Sequence, residues 1–261
     1  MTRHTQLDAG EMLAQEAGAR SPAGLMAVLI AGIALCWSLF QLWIASPLPF
    51  IFKWGVLNDT ETRAIHLSFA LLLSFLAYPA FKRSPRSYVP IADGVLALTA
   101  VACASYLFVF YPQLALRPGI LTSTDLIIAL IGLPLLLEAT RRTLGTPLAI
   151  IALVFLAYSL AGPYMPDLLA HRGVSLNALA NHQWITTEGV FGIALGVSTS
   201  FVFLFVLFGA LLERAGAGNY FIQLAFSMLG HMRGGPAKAA VVSSALTGMI
   251  SGSSIANVVT T

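Results

Sequence analysis

Leu229–Asn257 reads LGHMRGGPAKAAVVSSALTGMISGSSIAN. Gly234 and Gly235 end one element, and Pro236 suits the first turn of the next. From Pro236 to Met249 small residues at helical spacing predict a helix about 20 Å long, at about 1.5 Å per residue. Such a helix passes the middle of a bilayer without crossing it. It then meets Ser251-Gly252-Ser253-Ser254, and Ile255 onward is able to start a return. The residues leave two readings open. One is a re-entrant hairpin with its tip at mid-membrane, which irregular backbone tolerates only when buried or lining a cavity. The other is a packed seventh span, with Gly248 and Gly252 as a G-x-x-x-G pair and Ser243, Ser244, Thr247 and Ser251 as small packing residues.

A hairpin tip at that depth has a definite chemistry. The first half-helix ends in free carbonyls and the second begins with free N–H groups. One tip thus offers oxygens to a cation and donors to an anion, with serine hydroxyls and an Asn amide beside them. No side chain from Ala239 to Thr261 ionises near neutral pH, whereas a proton relay wants Asp, Glu or His. The expected ligands are therefore Na⁺ and an anionic substrate.

Outward from this stretch the chain is apolar. Residues AVILMFWYC make up 57% of its 261 residues and DEKR only 10%, against roughly 25% charged in soluble domains. A polytopic membrane protein follows. A bilayer core of about 30 Å takes roughly 20 helical residues. Six runs qualify or nearly so: Gly24–Ala45, Ala64–Phe81, Val89–Tyr111, Asp125–Ala139, Pro147–Pro163 and Gly189–Leu212. The fourth is short and holds Pro134. Trp37, Trp43 and Trp54 and several tyrosines fall mostly near span ends, as aromatic belts do.

With the N-terminus inside, ten Lys and Arg fall in inner segments, including Arg141-Arg142 and Lys82, Arg83 and Arg86. Four fall outside: Lys53, Arg63, Arg117 and Arg172. This asymmetry fits six spans entering and ending in the cytoplasm, and reads the basic clusters as topology signals. The net charge of +3 forms no basic stripe, so no nucleic-acid partner is expected. The polar first residues carry Asp8, Glu11 and Glu16, unlike a secretory leader, and read as a mobile tail. Cys36 and Cys103 sit in apolar runs without metal spacing. His171, His182 and the other histidines lack partners at ligand spacing and read as interfacial. Leu and Ala at helical spacing in Pro166–Glu188 predict an amphipathic helix on the outer interface.

The residues Leu229–Asn257 resemble the large membrane subunit of tripartite ATP-independent periplasmic (TRAP) transporters. That family has a G-H-x-R-G-G turn, here Gly230, His231, Arg233, Gly234 and Gly235, and a hairpin tip S-G-S-[SA], here Ser251 to Ser254. Upstream stretches, among them EATRRTLGTPLAIIALVFLAYSLAGPYMP (Glu138–Pro166) and TTEGVFGIALGVSTSFVFLFVLFGALLERAGAG (Thr186–Gly218), resemble the form in which small and large subunits are fused. The resemblance implies an all-α, elevator-type, ion-coupled importer of organic acids such as C4-dicarboxylates, in a bacterial or archaeal inner membrane. It implies a cytoplasmic tail over 1–22, a four-helix small-subunit-like part over 23–143, and the start of a large-subunit-like part over 144–261. It also implies delivery by a periplasmic solute-binding protein of the TAXI type, no cofactor besides Na⁺ as coupling ion, and no enzymatic activity. Ser251, Gly252, Ser253 and Ser254, with Asn257 just past them, would form the first ion and substrate tip. Members of the family continue through a second hairpin, so the chain is expected to be a fragment that does not transport alone. A different class remains as the alternative: a non-transporting scaffold of packed helices. The Ser-Gly run also resembles that of intramembrane serine proteases, but no histidine lies downstream to activate a serine.

Overall fold

The computed structural model describes residues 18–81 and 83–250. Among them the regular structure is entirely helical. The Ser251–Ser254 tip and Asn257 lie outside the described residues. Two compact units emerge, one over Gly18–Ser200 and one whose described part is Phe201–Ile250.

The first unit holds α1 (Leu25–Ala45), α2 (Leu48–Phe52), α3 (Asp59–Ala77), α4 (Ile91–Val109), α5 (Tyr111–Ala115), α6 (Ser123–Thr143), α7 (Thr146–Ala161), α8 (Leu176–Ala180) and α9 (Ile193–Val197). A π turn, Asn181–Ile185, continues α8, and another, Ser198–Val202, continues α9. The second unit holds α10 (Phe203–Arg214), α11 (Ala217–Leu229) and α12 (Gly235–Ile250). Among the described residues, five helical stretches are long and apolar enough to cross a bilayer: α1, α4, α6, Thr146–Tyr164 and Ile193–Arg214. α6, the fourth of the expected spans, runs 21 residues, longer than its apolar core, because a capping box starts it early: the Thr122 hydroxyl accepts from Asp125 N–H, and the Asp125 carboxylate accepts from Thr122 N–H at 2.7 Å.

α3 corresponds to the second expected span, Ala64–Phe81, and differs from the rest. Its first turns carry Asp59, Glu61, Arg63 and His66, so it is less apolar. It tolerates them by standing at the centre of the unit, against α1, α4, α6 and α9. An Asn58–Glu61 capping box opens it, both hydrogen bonds at 2.9 Å. Pro79 follows its extended last residue, Tyr78, where a helix is disfavoured. Ala64, Leu67, Leu71 and Phe75 line its core face. Ala97, Ala100 and Ala104 of α4, all fully buried, meet that face and bring the two backbones close. By contrast, α1 and α7 leave large apolar residues exposed all round, Leu25, Leu35, Leu39, Leu153 and Phe155 among them. A soluble domain does not leave so wide an apolar surface uncovered; lipid covers it here.

Two charged knots tie the ends of these helices. At one end Arg20, buried, donates to the carbonyls of Phe75 and Leu76 and pairs with Asp93 in the first turn of α4. Arg142 reaches the other oxygen of Asp93 at 2.8 Å and Glu138 at 2.7 Å, and it stacks over Phe75. Arg141 grips both oxygens of Glu138. Arg20 N–H also donates to Ala77 C=O and Ser21 N–H to Arg86 C=O, so this part of the expected mobile tail is docked. At the opposite end the fully buried Asp125 accepts from the Tyr106 hydroxyl at 2.6 Å, from both terminal nitrogens of Arg117, and from Thr122.

Three sequence expectations change. The stretch Pro166–Glu188 forms no continuous amphipathic helix; its helical part is the short α8 and its π turn, which bury Leu179, Ala180 and Trp184 in the protein. Trp184 fills the notch left by Gly132 and donates to Cys103 C=O at 3.2 Å. Trp37 is no belt residue: it sits mid-helix and donates to His66. Nor is His66 interfacial, being buried with hydrogen-bond partners on other helices. Its neighbours come from α1 and the α9 turn, which sequence distance conceals.

Candidate functional site

The turn that leads toward the expected tip belongs to the second unit. α11 ends at Leu229, where Gly230 N–H closes onto Phe226 C=O at 2.8 Å. Met232 N–H then donates to Leu229 C=O and Gly235 N–H to Met232 C=O, so the chain reverses within Gly230–Gly234. Gly234 takes a left-handed φ of 69°, which costs any residue with a Cβ. Gly235 is buried, and a Cβ there would stand 2.5 Å from the carbonyl oxygens of Leu229 and Gly230. A Cβ on Gly230 would likewise stand 2.5 Å from Phe226 C=O, so all three motif glycines answer to geometry, one to a dihedral and two to close approaches. His231 and Arg233 are exposed in the turn, and Lys238 follows on the first turn of α12.

α12 begins at Gly235, with Pro236 in its first turn, and runs 16 residues to Ile250. The described part is roughly 24 Å long at about 1.5 Å per residue. Its buried positions are Gly235, Ala239, Ser243 and Thr247, a strict four-residue register facing α11, where Ala225 is buried. The register continues in sequence to Ser251. Gly248 is exposed, so the packed seam of α12 is not built on the Gly248–Gly252 pair. Val241 and Met249 point outward.

The hydroxyls of Ser243 and Thr247 are buried without a hydrogen-bond partner among the described residues. Serine and threonine in a helix usually bond back to the carbonyl one turn earlier, as Ser68, Thr99, Thr140 and Thr143 do here. Two idle hydroxyl oxygens one turn apart therefore lead toward the Ser-Gly run. The arm carries Lys238 as its one ionisable group. Among the described residues no cluster of His, Cys, Asp or Glu is able to hold a metal. A separate cavity of about 320 Å³ lies in the first unit, above the Asp125 knot, lined by Thr60, Tyr111, Arg117, Asn181 and Thr186 among others.

Sequence reasoning grouped Gly230, His231, Arg233, Gly234 and Gly235 as the entry to a hairpin; the first four lie in the turn between α11 and α12, and Gly235 opens α12. It missed Gln41, His66, Asp93 and Asp125, which carry the polar interior of the first unit. A polar side chain inside an apolar run was the only available signal.

A protein-family model described as the tripartite ATP-independent periplasmic transporter, DctM component, matches residues 131–261. No curated protein and no solved structure matches the chain.

Proposed function

Because the chain belongs to the DctM component family of tripartite ATP-independent periplasmic transporters, we propose that it imports organic acids with Na⁺ as part of that permease. The family is one of multi-pass membrane transport proteins, and the helices match it. The finer reading is ours. The chain enters the membrane from the cytoplasm, with a small-subunit-like part over 23–143 and the large-subunit-like part from 144. A periplasmic solute-binding protein, of the TAXI type, hands over a carboxylate such as a C4-dicarboxylate. Ser251, Gly252, Ser253, Ser254 and Asn257 form a tip that takes Na⁺ and the carboxylate, and the tip moves as one piece with its helices. The bacterial inner membrane is the setting.

One observation supports this reading: the buried hydroxyls of Ser243 and Thr247 have no hydrogen-bond partner among the described residues, on a register that leads in sequence into a Ser-Gly run without ionisable groups. A half-helix that ends at membrane depth would present carbonyls to a cation beside such hydroxyls. The test is uptake of labelled C4-dicarboxylate into proteoliposomes of the permease supplied with its binding protein. Uptake that requires an inward Na⁺ gradient and persists when the pH gradient is collapsed supports the proposal. Uptake driven by the proton gradient alone overturns the Na⁺ assignment. The scaffold reading keeps one observation in its favour, the small-residue register Gly235–Ala239–Ser243–Thr247; it expects no uptake under any gradient.

A further inference from the structure

α1 is the most lipid-facing of the long helices, and its one buried residue is polar. Gln41 is 1% exposed. Its amide donates at 2.9 Å to the carbonyl of Thr199, and also at 2.9 Å to Nδ1 of His66 on α3. The Trp37 indole N–H, one turn earlier on α1, donates to the same Nδ1 at 3.2 Å. An Nδ1 that receives two N–H donors carries no proton itself. The imidazole is therefore neutral with its proton on Nε2, and Nε2 donates to the Ser198 hydroxyl at 3.2 Å.

Both acceptors, Ser198 Oγ and Thr199 C=O, belong to the π turn Ser198–Val202. A π turn widens a helix by one residue and displaces carbonyls from the α ladder. In a bilayer no water compensates them, so a neighbouring side chain must. The orientation of the Gln41 amide follows: turned the other way, its oxygen would face the Thr199 carbonyl. The oxygen is instead left buried and without a partner among the described residues. A buried unpaired acceptor is a cost, and it is borne where the amide N–H groups hold the turn. The Thr199 and Ser200 hydroxyls donate within the span, to Leu195 and Gly196 carbonyls, and Gln41 and His66 supply ties to other helices.

We infer that Gln41 and His66 are positioning residues that hold the π turn Ser198–Val202 in register, by hydrogen bonds donated from α1 and α3. The turn lies inside the span Ile193–Arg214, the last span before the α11–α12 arm. The latch is independent of the Na⁺ proposal, since none of its members is in the arm.

Two measurements test it on the full chain in nanodiscs. Nitrogen chemical shifts of ¹⁵N-labelled histidine report the His66 tautomer directly; Nε2–H neutral is expected, and an Nδ1–H or a doubly protonated ring overturns the latch. Hydrogen exchange then compares wild type with Gln41→Leu. Loss of one carbonyl partner speeds exchange of the amides over 198–203 about fivefold, the worth of one net hydrogen bond, with the α6 amides unchanged. Unchanged exchange over 198–203 overturns the proposal. Should Gln41→Leu fail to fold, the tautomer measurement on the wild-type chain still decides.

Discussion

Removing the carboxylate of Asp93 strands the buried guanidinium of Arg20 and leaves that of Arg142 to Glu138 alone. Breaking a buried pair from one side costs about 3–5 kcal/mol, so Asp93→Asn should lower the melting temperature of the purified protein sharply or prevent its folding. Arg141→Ala should cost far less, about 1 kcal/mol, because its side chain is 28% exposed and Glu138 keeps Arg142. Equal losses for the two variants, read by thermal melts in detergent, would contradict the knot. The basic pair Arg141-Arg142 was legible as a topology signal. Its partners were not: Asp93 is 49 residues away from Arg142, and no local spacing joins them. Gly132 offers a second residue-level check. A Cβ there would stand 2.3 Å from the Trp184 ring, so Gly132→Ala should destabilise by about 1–3 kcal/mol through overpacking, and a smaller ring at position 184 should partly relieve it.

At the scale of elements, the turn between α11 and α12 is the part that sequence and structure read alike. Gly-rich punctuation and Pro236 placed the break and the new helix start, because those signals are local and backbone-borne. Gly234→Ala forces a Cβ into a left-handed φ of 69° and should cost about 1–2 kcal/mol, seen as earlier proteolysis or melting of the arm. No effect would show that the turn is not closed as described. Helix starts at α3 and α6 lay beyond the apolar runs that located them, since capping boxes extend helices into polar sequence. The stretch from Pro166 to Glu188 was the least legible element. Its Leu and Ala periodicity suited an interfacial helix, but Trp184 decides its path by entering a notch that only Gly132, on another helix, provides.

For the whole molecule, hydropathy and length fixed the membrane class, and the family membership fixed the kind of transport protein. Orientation rests on the Lys and Arg asymmetry. A cysteine at Pro118, exposed beyond α5, should react with a membrane-impermeant maleimide in intact cells, and one at Ser87, exposed before α4, only after permeabilisation. The reverse pattern would invert the chain. Cys103 is buried and Cys36 faces outward from an apolar helix, so native background labelling should stay low. The proposed ion site rests on sequence chemistry, the serines, the glycines and the lack of ionisable groups after Ala239, and its tip lies outside the described residues. The described arm adds the idle hydroxyls of Ser243 and Thr247 on the way to it.

The account stands most directly on the Na⁺ dependence of uptake by the permease with Ser253 and Ser254 changed to alanine. Losing two oxygen ligands should raise the half-saturating Na⁺ concentration by about tenfold or more, at roughly 1.4 kcal/mol per factor of ten, or abolish uptake while the protein still inserts and folds. An unchanged Na⁺ dependence with normal uptake would contradict the assignment of this tip as the ion site.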